Sequence, residues 1–152
     1  MSKVIIMRGV PGSGKSNLAQ RVKLNNSSES STKTIVSADN FHINEEGDYN
    51  WDPAKIGEAH AECFKSFVDA LRREDELIVV DNTNTQLHEM SPYVMVADLH
   101  NAEVEFIHTI CSLDEAFARC THGVPRETIQ TMWERTADLP KHWPKQTVVA
   151  TD

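Results

Sequence analysis

The run Gly9-Val10-Pro11-Gly12-Ser13-Gly14-Lys15-Ser16 constrains this chain more than any other feature, because it fits G-x-x-x-x-G-K-[ST] in full. Val4-Ile5-Ile6-Met7 before it reads as a buried strand, and Leu18, Ala19 and Val22 after it fall on one helical face. Glycines here let consecutive backbone N–H groups turn inward, and the N-terminus of the following helix adds its positive end. Such a cradle takes phosphates. Gly9, Pro11, Gly12, Ser13, Gly14, Lys15, Ser16 and Asn17 are the expected nucleotide-binding residues, with Lys15 against the β- and γ-phosphates and the Ser16 hydroxyl on Mg2+. The ligands this implies are a nucleoside triphosphate, ATP or another, and Mg2+.

Further elements extend the same pattern. A short strand is expected at Thr34 to Ser37, and Asp52-Pro53 reads as the N-cap and first residue of a long helix with Ile56, Ala59, Cys63, Phe64, Phe67, Val68 and Leu71 on its apolar side. Leu77-Ile78-Val79-Val80 ending in Asp81 is the pattern of a central parallel strand. A helix spans about Gln86 to His100, with Ser91-Pro92 breaking or restarting it. Val104 to Ile110 is a strand, Asp114 to Cys120 and Arg126 to Arg135 are helices, and Val148-Val149 closes the series as a last strand. Alternating strands and helices imply parallel pairing. With 152 residues the chain is one domain, 1–152: an α/β, three-layer fold of the P-loop nucleoside triphosphate hydrolase type, with about five parallel strands, a small lid near 119–126 and a tail near 138–152.

Two carboxylates stand where reacting groups collect in such folds, at the carboxyl ends of strands. Asp39, beyond the second strand, suits a general base taking a proton from an acceptor hydroxyl, or the N-cap of the next helix. Asp81, opening Asp81-Asn82-Thr83-Asn84, suits a partner of Ser16 in holding Mg2+, or a cap of the following turn. Arg119 and Arg126 flank a Gly-containing linker, as lid arginines closing over a triphosphate would, although a solubilising role also fits. Phe41, Tyr49 and Trp51 could stack on an acceptor base or pack in the core. His60 with Cys63, and Cys120 with His122, lack the second pair a structural zinc site needs, and His60 and Cys63 fit a buried helix face.

The formal charge of −8 is unevenly spread. Residues 1–33 carry six basic and one acidic side chain, residues 34–118 four and 18, and residues 119–152 five and four. Positive charge therefore sits with the two phosphate-handling segments, and any acceptor approaches past the acidic middle. No apolar run nears the roughly 20 residues of a membrane helix, and the four apolar residues after Lys3 are too few for a secretory core segment. Three cysteines at uneven spacing fit reduced thiols. The expected location is the cytoplasm.

The chain resembles the P-loop 5′-kinase domain of polynucleotide kinases, of both the phage end-healing and the related eukaryotic type. The resemblance rests on Gly9 to Ser16, the Asp39 block, Asp48 to Asp52 leading into Ala59 to Cys63, Val80 to Thr85, Glu89 to Tyr93, and Arg119 to Arg126 with Met132 and Arg135. It implies ATP- and Mg2+-dependent phosphotransfer to the 5′-OH of DNA, RNA or a nucleotide, with Lys15, Asp39 and Arg119 or Arg126 as catalytic residues. His42, Asn82, Thr83, Asn84, Tyr49 and Trp51 are the acceptor-side candidates. Two positions depart from the phage pattern: His42 replaces an arginine three residues after the base, and Asn82 takes an aspartate's slot, with Asp81 one residue earlier. A small-metabolite kinase of the same mechanism and a nucleotide-binding switch are the competing readings.

Overall fold

The structure is a computed structural model that describes residues 2–25, 32–120 and 123–151. Five strands, β1 (Lys3–Arg8), β2 (Lys33–Val36), β3 (Leu77–Asp81), β4 (Glu103–Ile110) and β5 (Gln146–Ala150), form one sheet in the order β2-β3-β1-β4-β5. Every neighbouring pair is parallel. The helices are α1 (Lys15–Asn25), α2 (Ile56–Arg72), α3 (Leu87–Leu99), α4 (Leu113–Arg119) and α5 (Arg126–Glu134), with short 3-10 turns at Ala38–His42 and Pro53–Lys55.

Side chains alternate between the two faces of the strands, and the helices divide accordingly. Val4, Ile6, Val36, Ile78, Val80 and Phe106 face α2 and α3, where Ala59, Cys63, Phe67, Leu71, Met90 and Tyr93 complete the larger core. Ile5, Met7, Leu77 and Val79 face Ala19, Leu18 and Val22 of α1. β3 is buried along its whole length, as its unbroken apolar run requires when both faces are covered. A third cluster, Val10, Ala116 and Ile129, seats α4 and α5 beside the Gly-rich loop.

The structure corrects the sequence reading in several places. Asp52 caps a 3-10 turn, accepting from Ala54 N, and α2 proper starts three residues after Pro53. Ile56 is exposed and so is His60; the buried stripe is carried by Ala59, Cys63, Phe67, Ala70 and Leu71. α3 runs unbroken through Pro92, because burial of Met90, Tyr93 and Ala97 around it outweighs the lost main-chain bond, and Ser91 Oγ donates to Leu87 O at 2.9 Å. The last strand expected at Val148-Val149 is present as β5, extended to Gln146–Ala150 within the segment expected as a tail, and Trp143 before it stacks on Phe106 with ring centroids 5.8 Å apart. Thr121 and His122, and hence the centre of the expected lid, lie outside the described residues.

Arg8, the last residue of β1, is 1% exposed, and sequence periodicity did not single it out. Its guanidinium donates from Nε to Asn84 O (2.9 Å), from Nη1 to Gln146 Oε1 (2.7 Å) and from Nη2 to Ala137 O (2.6 Å). One cation thus ties β1 to the loop after β3, the segment after α5 and β5. Burial holds its pKa below the usual arginine value, with Asp138 and Glu89 opposing that shift from a distance. Arg8→Ala strands several buried acceptors at once and is expected to cost at least about 3 kcal/mol, measured by urea unfolding; a loss below about 1 kcal/mol would show that those acceptors find other donors.

Candidate functional site

Parallel register brings the carboxyl ends of β2, β3 and β1 to one level: Met7 lies opposite Asp81, and Val36 opposite Val80. The loop from Gly9 to Gly14 leaves β1 and turns directly into α1. Its base is fixed by Gly9 N donating to Thr83 O (2.9 Å) and by Ser13 Oγ against Thr109 Oγ1 (2.7 Å). Gly12 has φ +81°, and a Cβ there would sit 1.9 Å from the Ala116 carbonyl oxygen. Only glycine allows the loop this left-handed turn against the backbone of α4. Lys15 makes no ion pair among the described residues and is half-buried, so its ammonium is available to an anion. Pro11 is half-buried in the same loop, and Asn17 is exposed in the first turn of α1.

Ser16 Oγ donates to Asp81 Oδ2 at 2.9 Å. Asp81 is 8% exposed, and its Oδ1 is buried without a hydrogen-bond partner among the described residues. A carboxylate oxygen in that state needs a cation or an ordered donor. A serine hydroxyl beside a carboxylate is the all-oxygen donor set of a hard divalent ion, so Ser16 and Asp81 fit Mg2+ and offer nothing to a thiophilic metal.

Asp39 lies in the 3-10 turn at Ala38–His42, which Ser37 caps by accepting from Asp39 N at 3.2 Å. Both the base and the cap readings concern this turn: the cap is Ser37, leaving the Asp39 carboxylate at the surface. Asn82 holds the turn from below. Its Oδ1 accepts from Ala38 N (2.9 Å) and its Nδ2 donates to Cys63 Sγ (3.4 Å), which also receives Tyr93 Oη at 3.3 Å. Asn82 is 7% exposed, with both ends of its amide engaged inside the protein. Burial first, eased by the bonds from Tyr93 and Asn82, leaves the Cys63 thiol pKa raised, so the sulfur stays protonated and inert.

The remaining acceptor-side candidates divide. Asn84 is 1% exposed at φ +46° and donates to Met7 O (2.8 Å), and Thr83 lends its carbonyl to Gly9; both brace the Gly-rich loop. His42 is buried, its ring between those of Phe41 (5.6 Å) and Tyr49 (5.9 Å). Tyr49 pairs with Ile43 across a hairpin and points its hydroxyl at Asp39 Oδ1, 3.5 Å away. Burial, then the Asp39 charge, pushes its pKa up to about 12, so it remains a neutral donor at physiological pH. Trp51 is 55% exposed beyond the hairpin, whose turn carries the exposed Glu45, Glu46 and Asp48 around an Asn44 side chain accepting from Glu46 N and Asp48 N.

The two arginines are held differently. Arg119 Nη2 donates to Thr151 O at 2.8 Å, and Thr151 Oγ1 in turn donates to Ser13 O, one step from the Gly-rich loop. Arg126 pairs with Asp114 and lies over the Phe117 ring. Of the constellations weighed for zinc, Cys63 is buried in the core and His60 is exposed, while His122 lies outside the described residues.

Asn82→Ala is expected to speed hydrogen exchange at the Ala38 amide at least tenfold, whereas Asn82→Asp, which keeps the accepting oxygen, preserves most of the protection. Equal exchange in all three proteins would mean that the turn stands without Asn82.

An AAA domain family model (AAA_33) matches residues 4–135. The human NEDD4-binding protein 2 is 36% identical over 136 residues, covering 86% of this chain but 7% of its own length, so this chain corresponds to a small part of that relative. Among solved structures, a chain of the Pnkp1/Rnl/Hen1 RNA repair complex superposes with a TM-score of 0.70 at 20% identity, over 89% of this chain and 44% of its own. The Mycobacterium tuberculosis APS kinase CysC in complex with AMPPNP and APS superposes at 0.67 and 16% identity, over 99% and 89%. At those identities the likeness is one of fold. The match over most of the chain, the five parallel strands and the Gly-rich loop together make this chain a member of the AAA domain family and a P-loop kinase-like domain.

Proposed function

We propose that this domain transfers the γ-phosphate of ATP to the 5′-hydroxyl of a polynucleotide or nucleotide. One observation carries the reading: the Gly-rich loop with Lys15, the Ser16–Asp81 pair and the exposed carboxylate of Asp39 stand together at the ends of three adjacent parallel strands. The resemblance to polynucleotide kinases and the fold shared with a chain of an RNA repair complex support the acceptor class.

In this mechanism the amides of Gly14, Lys15 and Ser16, where the loop turns into α1, grip the phosphates, while that of Ser13 donates to Val10 O, and Lys15 offsets the charge that develops on the transferred group. Ser16 and Asp81 would hold Mg2+, which would supply further neutralisation of the phosphate oxygens. Asp39 takes the proton of the attacking hydroxyl, held in place because Asn82 anchors the residue before it. Tyr49 donates toward Asp39 and keeps the carboxylate oriented. Trp51 offers an exposed aromatic face to an acceptor base. Either arginine would leave a carboxylate to reach the triphosphate, Arg119 that of Glu115 and Arg126 that of Asp114; Arg119 is also joined through Thr151 to the Ser13 carbonyl of the Gly-rich loop.

A second reading has its own support. The hairpin beside Asp39 carries carboxylates and no lysine or arginine from residue 38 to 54, and His42 is packed between rings and unavailable to grip a phosphate. A small hydroxylated acceptor meets less repulsion there than a polyanion does.

Incubation with γ-labelled ATP and 5′-OH oligonucleotides is expected to label the 5′ ends, with Lys15→Ala and Asp39→Ala each lowering the rate about 100-fold or more. Label on small hydroxylated metabolites but on no oligonucleotide would select the second reading. Undiminished transfer by Asp39→Ala would remove that residue as the base. Trp51→Ala is expected to weaken oligonucleotide binding by about 1–3 kcal/mol without changing ATP affinity, read by titration of each ligand; an unchanged oligonucleotide affinity would take Trp51 out of the acceptor site.

A further inference from the structure

β2 is one edge of the sheet, and β3 is its only strand neighbour among the described residues. A cleft of about 560 Å3 follows it, lined by the four consecutive residues Thr34, Ile35, Val36 and Ser37. Successive side chains of a strand point to opposite faces, so a cleft over one face would be lined by alternate residues. Consecutive lining puts this cleft beside the strand, where an edge presents its row of N–H and C=O groups.

The opposite wall is α2 with its C-cap Arg73: Glu62, Ser66, Asp69 and Arg73 border the cleft, a spacing that keeps to one stripe of the helix. The rise from Glu62 to Arg73, at about 1.5 Å per residue, makes that stripe about 16 Å long, which matches about five residues of strand at about 3.3 Å each. The charge of the wall is negative. Arg73 is held by Asp75 at 2.8 Å, whereas Glu62 and Asp69 make no ion pair among the described residues. At the upper end Asn40 and Phe41 come from the turn that carries Asp39.

An open strand edge, a trough one strand long and two carboxylates along its far wall describe one kind of occupant. We propose that this cleft binds an extended peptide segment bearing lysine or arginine, which adds to β2 as a sixth strand with its basic side chains toward Glu62 and Asp69. Main-chain bonds to the edge give such a complex its affinity, and alternate side chains give it selectivity. A nucleic acid strand is disfavoured here, since its phosphates would face the same carboxylates. The proposal does not depend on phosphotransfer and stands or falls separately from it.

The test uses the 152-residue chain and a fluorescein-labelled hexapeptide of alternating valine and lysine, followed by anisotropy and by hydrogen exchange. Saturable binding is expected, with exchange slowed at least tenfold at one or more amides of residues 34–37. Replacing alternate residues of the peptide by proline, which removes the N–H donors, is expected to weaken binding at least tenfold. The Glu62→Lys/Asp69→Lys double variant should do the same, and the neutral Glu62→Gln/Asp69→Asn pair gives the same direction should the first fold poorly. No saturable binding, or equal binding of the proline peptide, would overturn the proposal. So would protection of the same amides by a single-stranded oligonucleotide or by self-association, which would assign the cleft to those occupants.

Discussion

Parallel pairing of β1 with β3 sets Met7 opposite Asp81, and the site depends on that register. A one-residue slip would send every side chain of β3 to the opposite face, taking Asp81 from Ser16 and Val80 from the larger core together. The same level is kept by β2, so the Ala38–His42 turn emerges beside Asp81, and Asn82 can span from β3 to the backbone of that turn. Arg8 fastens the other side, joining the end of β1 to the loop after β3 and to β5. The Gly-rich loop is thus clamped between an arginine at its entry and a serine–aspartate bond at its exit, while close contact with α4 at Gly12 fixes its curvature.

Charge is partitioned on this frame. The start of α1 carries Lys15 and no acidic group in its first turn, which suits a polyphosphate. The hairpin on the other side of Asp39 carries only carboxylates and presents its aromatic residues instead, with Tyr49 turned inward onto Asp39 and Trp51 outward. On the reading proposed above, an acceptor entering there would be recognised by stacking and shape more than by charge.

Much of this was legible in the residue order because local rules agreed with the global fold. The apolar tetrads became β1 and β3, and the G-x-x-x-x-G-K-S run became a loop between strand and helix, since both patterns admit few alternatives. The reading failed where a tertiary partner decides. Arg8 looks like the polar end of a strand until three other segments converge on its guanidinium. Asn82 and Asn84 look like groups awaiting a ligand, yet their amides are consumed by the Ala38 N–H and the Met7 carbonyl, which no spacing rule reveals. Pro92 signals a helix break by propensity, but early in α3 it removes a single bond, and packing of Met90, Tyr93 and Ala97 carries the helix through.

The central claim is that strand register builds one nucleotide–metal site from Ser16 and Asp81. It is tested most directly by calorimetric titration of AMPPNP into the wild-type protein and Asp81→Asn, each with and without Mg2+. The account predicts that Mg2+ strengthens binding at least tenfold in the wild type and little in the variant, with metal-free affinities alike. An equal gain from Mg2+ in both proteins would contradict it.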